Sequence, residues 1–246
     1  MTAILVQDLC KTYKARGKTI KALDNLNLQV NEGDIFGFIG QNGAGKTTAI
    51  KILTGLLFKD SGTAEVFGQD AGTVPAKANI GFLPEVSYYY KFLEARELLK
   101  FYASLQGLYG RELMERVDRV LELVKLSEFK NLHLKEFSKG MLQKFGIAQS
   151  IVGDPKILIL DELTSGLDPI AQHEVMDILK NLKDTGKTIF FSSHRLSEVE
   201  MICDKVGIIH KGVIVKTGPI KEIFSDKETL EKQFFDMIQE LNRTGG

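Results

Sequence analysis

The run GQNGAGKT, Gly40 to Thr47, constrains this chain more than any other stretch. It fits G-x-x-x-x-G-K-[ST] and stands in the context such a loop requires, after the short apolar run GDIFGFIG and before the helix-forming run GKTTAIKILTGLL. Glycines let successive backbone N–H groups curl around phosphate oxygens, and the start of the following helix adds the positive end of its dipole. Lys46 supplies a point charge and Thr47 a hydroxyl for Mg²⁺. The spacing predicts strand, glycine loop and helix, with Ile50, Leu53, Leu56 and Leu57 sharing one helical face.

The segments around the loop agree with an α/β chain. TAILVQDL and IKALDNLNLQV place apolar residues at every second position, which predicts two strands, and KARGK between them reads as a turn. The middle third changes character. EARELLKFYASLQGLYGRELMERVDRVLELVKLSEF is rich in helix formers, with Leu113, Val117, Val120, Leu121 and Val124 at helical spacing, so a helical insertion is expected there. From Pro155 onward short buried runs alternate with helices again, the pattern of a mainly parallel sheet with helices on its faces. Asp168 followed by Pro169 reads as a helix N-cap with proline at the first helical position, and HKGV reads as a hairpin turn. The tail TLEKQFFDMIQELNRTGG predicts an amphipathic helix with a frayed, glycine-rich end.

Three polar residues follow buried apolar runs. KILILDE puts Asp161 and Glu162 after a strand, where carboxylates are costly unless a cation or hydrogen bonds meet them. Because successive strand residues point to opposite sides, one carboxylate faces Mg²⁺ and its neighbour an attacking water; Asp161 is assigned to the metal and Glu162 to the water. His194 follows TIFFSS at a strand's C-terminal end, where open α/β sheets bind ligands; a neutral imidazole there serves the γ-phosphate or the water, or is a satisfied structural residue. FSKGMLQK, Phe137 to Lys144, joins a small hydroxyl residue, a cation and a glycine at a helix start, either a second anion site or plain N-capping by Ser138.

Composition narrows the partners. Thirty-two basic residues balance thirty-two acidic ones, so no global field favours nucleic acid or anionic lipid. Cys10 and Cys203 lack CxxC spacing, suit a reducing compartment and are expected in the core. The N-terminus lacks a signal pattern and no window is apolar enough to span a bilayer, which points to a soluble, cytosolic protein.

With these motifs in this order, the sequence resembles the nucleotide-binding subunit of an ATP-binding-cassette (ABC) transporter. The resemblance implies a P-loop NTPase core, a mainly parallel sheet with flanking helices, joined by an antiparallel β subdomain and a helical insertion subdomain. It implies a single ABC ATPase domain over 1–246: core and β subdomain over about 1–85 and 155–220, helical subdomain with the signature over 86–154, and a helical tail over 221–246. Tyr13 then looks like the aromatic that stacks on adenine, the alternative being a strand aromatic in the core. Gly40, Asn42, Gly43, Ala44, Gly45, Lys46, Thr47 and Thr48 form the Walker A loop for ATP; LILDE is Walker B, with Asp161 a metal ligand and Glu162 catalytic. LPE, ending in Glu85, lies at the Q-loop, so Glu85 is expected at both nucleotide and metal; FSKGM, with Ser138 and Gly140, lies at the signature; SGLD, ending in Asp168, is similar to the D-loop; His194 is similar to the switch histidine.

Three departures mark this chain. LSGGQ is replaced by Phe137, Ser138, Lys139, Gly140 and Met141, the Q-loop glutamine by Glu85, and the proline after Walker B by Leu163. An ionised glutamate only accepts hydrogen bonds where glutamine also donates. The SKGM and LPE variants resemble the branch that serves bacterial exporters. The resemblance implies two cassettes packed head to tail, as a homodimer or with a related subunit, each ATP lying between one chain's Walker A loop and the other's signature, with Lys139 adding a screened attraction to the same phosphates. It also implies an integral membrane permease partner, a peripheral place on the cytoplasmic face of the membrane and no nucleic-acid partner. Tyr88, Tyr89 and Tyr90 belong either to the surface receiving that partner or to packing within the insertion. The rival function is a soluble ABC ATPase acting on ribosomes or DNA, forms that generally carry two cassettes or a long coiled coil; a P-loop kinase does not explain SGLD and SSH, and a binding-only module conflicts with Glu162.

Overall fold

A computed structural model describes residues 1–15, 17–224 and 229–244. The strands are β1 (Thr2–Ala15), β2 (Lys18–Asn31), β3 (Ile35–Ile39), β4 (Ser61–Val66), β5 (Gln69–Asp70), β6 (Ile80–Leu83), β7 (Ile157–Asp161), β8 (Thr188–Ser193), β9 (Lys205–His210) and β10 (Val213–Pro219). The helices are α1 (Lys46–Leu53), α2 (Val74–Lys77), α3 (Ala95–Leu105), α4 (Gly110–Leu123), α5 (Lys139–Ile151), α6 (Pro169–Asp184), α7 (Leu196–Ile202), α8 (Ile220–Ile223) and α9 (Leu230–Thr244). Two compact units divide the chain: Met1–Lys77 with Phe190–Gly246, and Ala78–Ile189. The fold is α/β, with parallel strand pairs, flanking helices and an antiparallel sheet.

In the first unit the period-two pattern of the N-terminal segments gives an antiparallel sheet ordered β2-β1-β4-β5, which buries Ile4, Val6 and Leu9 from one strand and Leu26, Leu28 and Val30 from its partner. The turn expected at KARGK includes Arg16, which lies outside the described residues; Gly17 beside it has φ +77°. A second set of strands carries the P-loop. β3 is buried along its whole length and pairs parallel with β9, from Phe36 opposite Lys205 to Ile39 opposite Ile208. Phe190 of β8 stacks on Phe36 at 5.8 Å and meets Phe38 at 5.4 Å. The hairpin expected at HKGV joins β9 to β10, with positive φ at Lys211 (46°) and Gly212 (83°), as a primed two-residue turn requires.

One expectation for this unit is corrected. The helix after the P-loop ends at Leu53, so Leu56 and Leu57 do not share its face; Leu56 is 64% exposed. Gly55, at φ +72°, ends the helix in a left-handed turn, and the N–H groups of Leu56 and Leu57 both fold back to Lys51 O, at 2.8 and 3.0 Å. The helical period continues past Leu53 in the sequence, but the backbone does not follow it. Cys203 is buried as expected, whereas Cys10 is only half-buried, its thiol 3.2 Å from Asn25 Oδ1.

In the second unit β6 and β7 pair parallel from Ile80–Ile157 to Leu83–Leu160. The helical run reads as expected: Val117, Val120, Leu121 and Val124 are buried and Leu113 is half-buried. Fully burying a Val or Leu side chain is worth about 1.5–3 kcal/mol, so this stripe anchors α4. Arg96 of α3 and Asp118 of α4 pair at 2.7 Å on the helices' flank. α5 is fixed by Phe145, whose ring meets Tyr89 edge-on at 5.2 Å and Phe137 at 6.5 Å. Asp168 caps α6, accepting from Ala171 N at 2.9 Å with Pro169 in the first turn, as the sequence indicates. The tail forms α9; Gly245 and Gly246, where fraying is expected, lie outside the described residues.

Candidate nucleotide-binding site

The first unit presents a loop that only its glycines permit. A Cβ at Gly40 would lie 2.5 Å from Ile209 O, and one at Gly45 would lie 2.6 Å from Ala22 O. Gly43 (φ +80°) and Gly45 (φ +113°) adopt left-handed backbone that other residues rarely take. Gly212 N donates to Ala44 O at 2.9 Å, so the β9–β10 turn backs the loop, and Ala44 is buried while Gln41, Asn42 and Gly43 face outward. α1 starts at Lys46 with no side chain capping it. The Lys46 ammonium folds over the loop and donates to Gly40 O at 2.6 Å and Gln41 O at 3.3 Å. A cation held against backbone carbonyls beside an uncapped helix start is a site arranged for an anion.

Two further residues lie in this unit. Tyr13 is 38% exposed, which sets aside a core role, and its hydroxyl is 3.4 Å from Thr48 Oγ1 on the first turn of α1. His194 is exposed immediately past the end of β8. The turn carrying it is pinned by Ser193, whose hydroxyl donates to the buried Glu198 at 2.7 Å and accepts from Arg195 N at 2.8 Å. Sequence reasoning missed this Ser193–Glu198 latch; the signal is a glutamate on the otherwise apolar inner face of LSEVEMI.

The second unit holds the carboxylates. Asp161 is the last residue of β7 and only 3% exposed. Glu162 lies beyond the strand at φ +49°, so strand alternation does not orient it, and that part of the sequence argument is corrected. A left-handed backbone at a non-glycine residue costs on the order of 1–3 kcal/mol and persists where the surroundings enforce it. Here Ser165 N donates to Glu162 O at 3.1 Å and Leu167 N to Thr164 O at 3.1 Å, closing consecutive turns that end at Asp168. Glu162 lines a cavity of about 280 Å³ with Glu85, Lys139, Gln143 and Ser165. Glu85 is exposed just past β6. Ser138 caps α5, its hydroxyl accepting from Met141 N at 3.2 Å, and a Cβ at Gly140 would lie 3.1 Å from Ala171 Cβ. Tyr89 is half-buried in the same cavity, and burial pushes its phenol up to about 12, whereas Tyr88 and Tyr90 are exposed.

Each unit carries oxygen donors of the kind a hard divalent cation takes: the first a hydroxyl at Thr47, the second carboxylates at Asp161 and Glu85, of which Asp161 is buried, where a carboxylate is costly without positive charge or hydrogen bonds. Among the described residues no group of three or more His, Cys, Asp or Glu forms a metal cage. No helix among them is long and apolar enough to cross a membrane.

Comparison with known proteins gives one family. Residues 23–165 match the family model described as ABC transporter. The chain is 38% identical to an uncharacterized ABC transporter ATP-binding protein of Synechocystis over 91% of its own length and 65% of that protein's, so it spans less than two thirds of that relative. It is 40% identical to the bacitracin transport ATP-binding protein BcrA of Bacillus licheniformis, over 96% of this chain and 76% of BcrA. A solved dimeric ATP-binding cassette, in a post-hydrolysis state with ADP and Pi, shares the fold at TM-score 0.79 and 23% identity, over 88% of this chain and 98% of that one. The chain belongs to the ABC transporter family and carries its ATP-binding cassette.

Proposed function

We propose that this chain binds and hydrolyses ATP to power transport, in the export direction, through a separate membrane-spanning partner, by nucleotide-dependent closure of a dimer. The observation that carries the reading is the end of β7, where a buried Asp161 is followed by a Glu162 held in left-handed backbone. Lys46 and the Walker A backbone bind the phosphates, Tyr13 stacks on the base, and His194 meets the γ-phosphate. Mg²⁺, when bound, neutralises phosphate charge; Thr47, Asp161 and Glu85 are the residues that hold it. Glu162 accepts a hydrogen bond from the attacking water and orients it. Ser138, Gly140 and Asp168 serve the nucleotide of the second cassette, whether an identical chain or a related one. The dimeric relative bound to ADP and Pi supports this arrangement.

Transport is supported by the BcrA likeness and export by the SKGM and LPE variants. Exposed Val86, Tyr88, Tyr90 and Phe92 beside Glu85 form the surface proposed to receive the membrane partner, which holds the cassette at the cytoplasmic face. The test is Glu162→Gln. It should lower hydrolysis about 10²–10⁴-fold, the usual effect of losing a general base, while leaving ATP binding intact. With ATP it should elute as a dimer in size-exclusion chromatography; a purely monomeric profile well above the nucleotide's Kd counts against the sandwich.

A further inference from the structure

The sheet fixes the chain before His194 only as far as Ser193, the last residue of β8; His194 itself stands in the short turn before α7. A chain of polar contacts closes that turn. Arg195 N donates to Ser193 Oγ at 2.8 Å, and the same hydroxyl donates to Glu198 Oε2 at 2.7 Å. Arg195 O lies 3.2 Å from this hydroxyl, but its single proton goes to the nearer, carboxylate acceptor. Glu198 is the third residue of α7 and is buried; its other oxygen, Oε1, is 3.9 Å from Arg195 Nη1. In a capping box a glutamate at this helix position reaches the N-cap N–H directly. Here the Ser193 hydroxyl is inserted between the two, so the residues on both sides of His194 close onto one buried carboxylate. α7 in turn is seated on β3: a Cβ at Gly37 would lie 2.9 Å from Cys203 Sγ and 3.3 Å from Val199 Cγ1. β3 runs into the P-loop at Gly40, so the latch ties the His194 backbone to the strand that carries the phosphate loop.

We propose that Glu198 is a positioning residue for ATP hydrolysis: through Ser193 it holds the turn that carries His194 and so fixes where the imidazole meets the γ-phosphate. This rests on the role proposed above for His194. Glu198→Ala should lower kcat about tenfold, the kinetic equivalent of losing one modest interaction at the transition state, with the KM for ATP unchanged. Glu198→Gln keeps an oxygen that accepts from Ser193 and should stay within about threefold of wild type. Ile202→Ala trims a buried residue from the same helix without touching the latch, and should leave kcat unchanged.

A second measurement needs no turnover. Labelling with 15N-histidine gives one backbone amide signal for each of the four histidines, and His194→Ala identifies the signal of residue 194. In the nucleotide-free wild type the heteronuclear NOE of the His194 amide should match that of His173 within α6. Glu198→Ala should lower it, and Glu198→Gln should not. An unchanged kcat or an unchanged His194 amide in Glu198→Ala overturns the proposal, as does an equal loss of kcat in Ile202→Ala. Normal hydrolysis by His194→Ala, with the His194 amide loosened in Glu198→Ala, overturns the γ-phosphate role of His194 and leaves the latch itself standing.

Discussion

α1 and α5 both begin at motifs that suit an anion, yet their first turns are finished in opposite ways. α1 has a left-handed glycine, Gly45, at its N-cap and no side chain on its first N–H groups, while Lys46 lies over the preceding loop. α5 has Ser138, whose hydroxyl already takes Met141 N, and it is held by Phe145 against Tyr89 and Phe137. An uncapped start leaves donors for a ligand; a capped one is complete as folded and meets a ligand only by adding to what is there. The contrast suggests that the P-loop is organised around its phosphate, whereas the SKGM helix is organised by its own unit and offered to another molecule.

The largest effect should come from the glycine that makes α1's start possible. Gly45→Ala adds a Cβ 2.6 Å from Ala22 O at a residue with φ +113°. Left-handed strain alone costs on the order of 1–3 kcal/mol, and the backbone clash adds to it. Urea denaturation should show a loss of about 3 kcal/mol or more, and nucleotide binding by the folded remainder should vanish. Gly140→Ala is the matched change on α5. Its Cβ would meet Ala171 Cβ at 3.1 Å and Ser138 Oγ at an ordinary 4.0 Å, with no backbone atom in the way, so the stability cost should stay near 1 kcal/mol. Equal losses at the two glycines would erase the contrast.

If packing rather than a ligand holds α5, a charge placed in that packing should weaken the fold without touching the P-loop. Tyr89 provides one, since burial raises its phenol from about 10 to about 12. Between those values the folded chain keeps a proton that the unfolded chain releases, so the stabilisation is complete below pH 10 and disappears as pH rises toward 12. The shift corresponds to roughly 3 kcal/mol. Urea midpoints between pH 9 and 12 should fall less steeply in Tyr89→Phe than in wild type. Tyr102, also raised by burial, contributes a slope of the same sign in both proteins. Identical slopes would remove Tyr89 from the account.

The difference between the two regions also explains what was legible in the sequence. The P-loop was readable because one short run specifies its conformation: Gly40, Gly43 and Gly45 each occupy a position where a side chain is excluded by contact or by φ. The stripe on α4 was readable because its side chains follow a single period, and the β1–β2 pair because a period of two holds on stretches long enough to read, as at Leu26, Leu28 and Val30, although the register shifts between Val6 and Leu9. What escaped depends on contacts between residues distant in sequence or on a local break in that period. Leu56 and Leu57 continue a helical spacing that Gly55 ends, and Glu162 continues a strand that stops at Asp161. No local pattern indicates that the Lys139 side chain lies against Gly166, because the contact joins the first residue of α5 to a turn well over twenty residues further along the chain.

The smallest predicted change separates capping from anion contact at Ser138. Ser138→Ala removes the acceptor of Met141 N and should cost about 1 kcal/mol, as loss of an N-cap usually does. Ser138→Asp retains an acceptor that caps as well as serine, so its urea midpoint should stay within about 0.5 kcal/mol of wild type. Its carboxylate, however, repels any phosphate brought to the start of α5. If α5 is only a finished helix, Ser138→Asp hydrolyses ATP normally and Ser138→Ala is the worse variant. If α5 is offered to a second chain's nucleotide, the order reverses: Ser138→Asp loses hydrolysis and the ATP-dependent dimer at nearly full stability. ATP binding to the isolated chain, which rests on α1, stays intact in both.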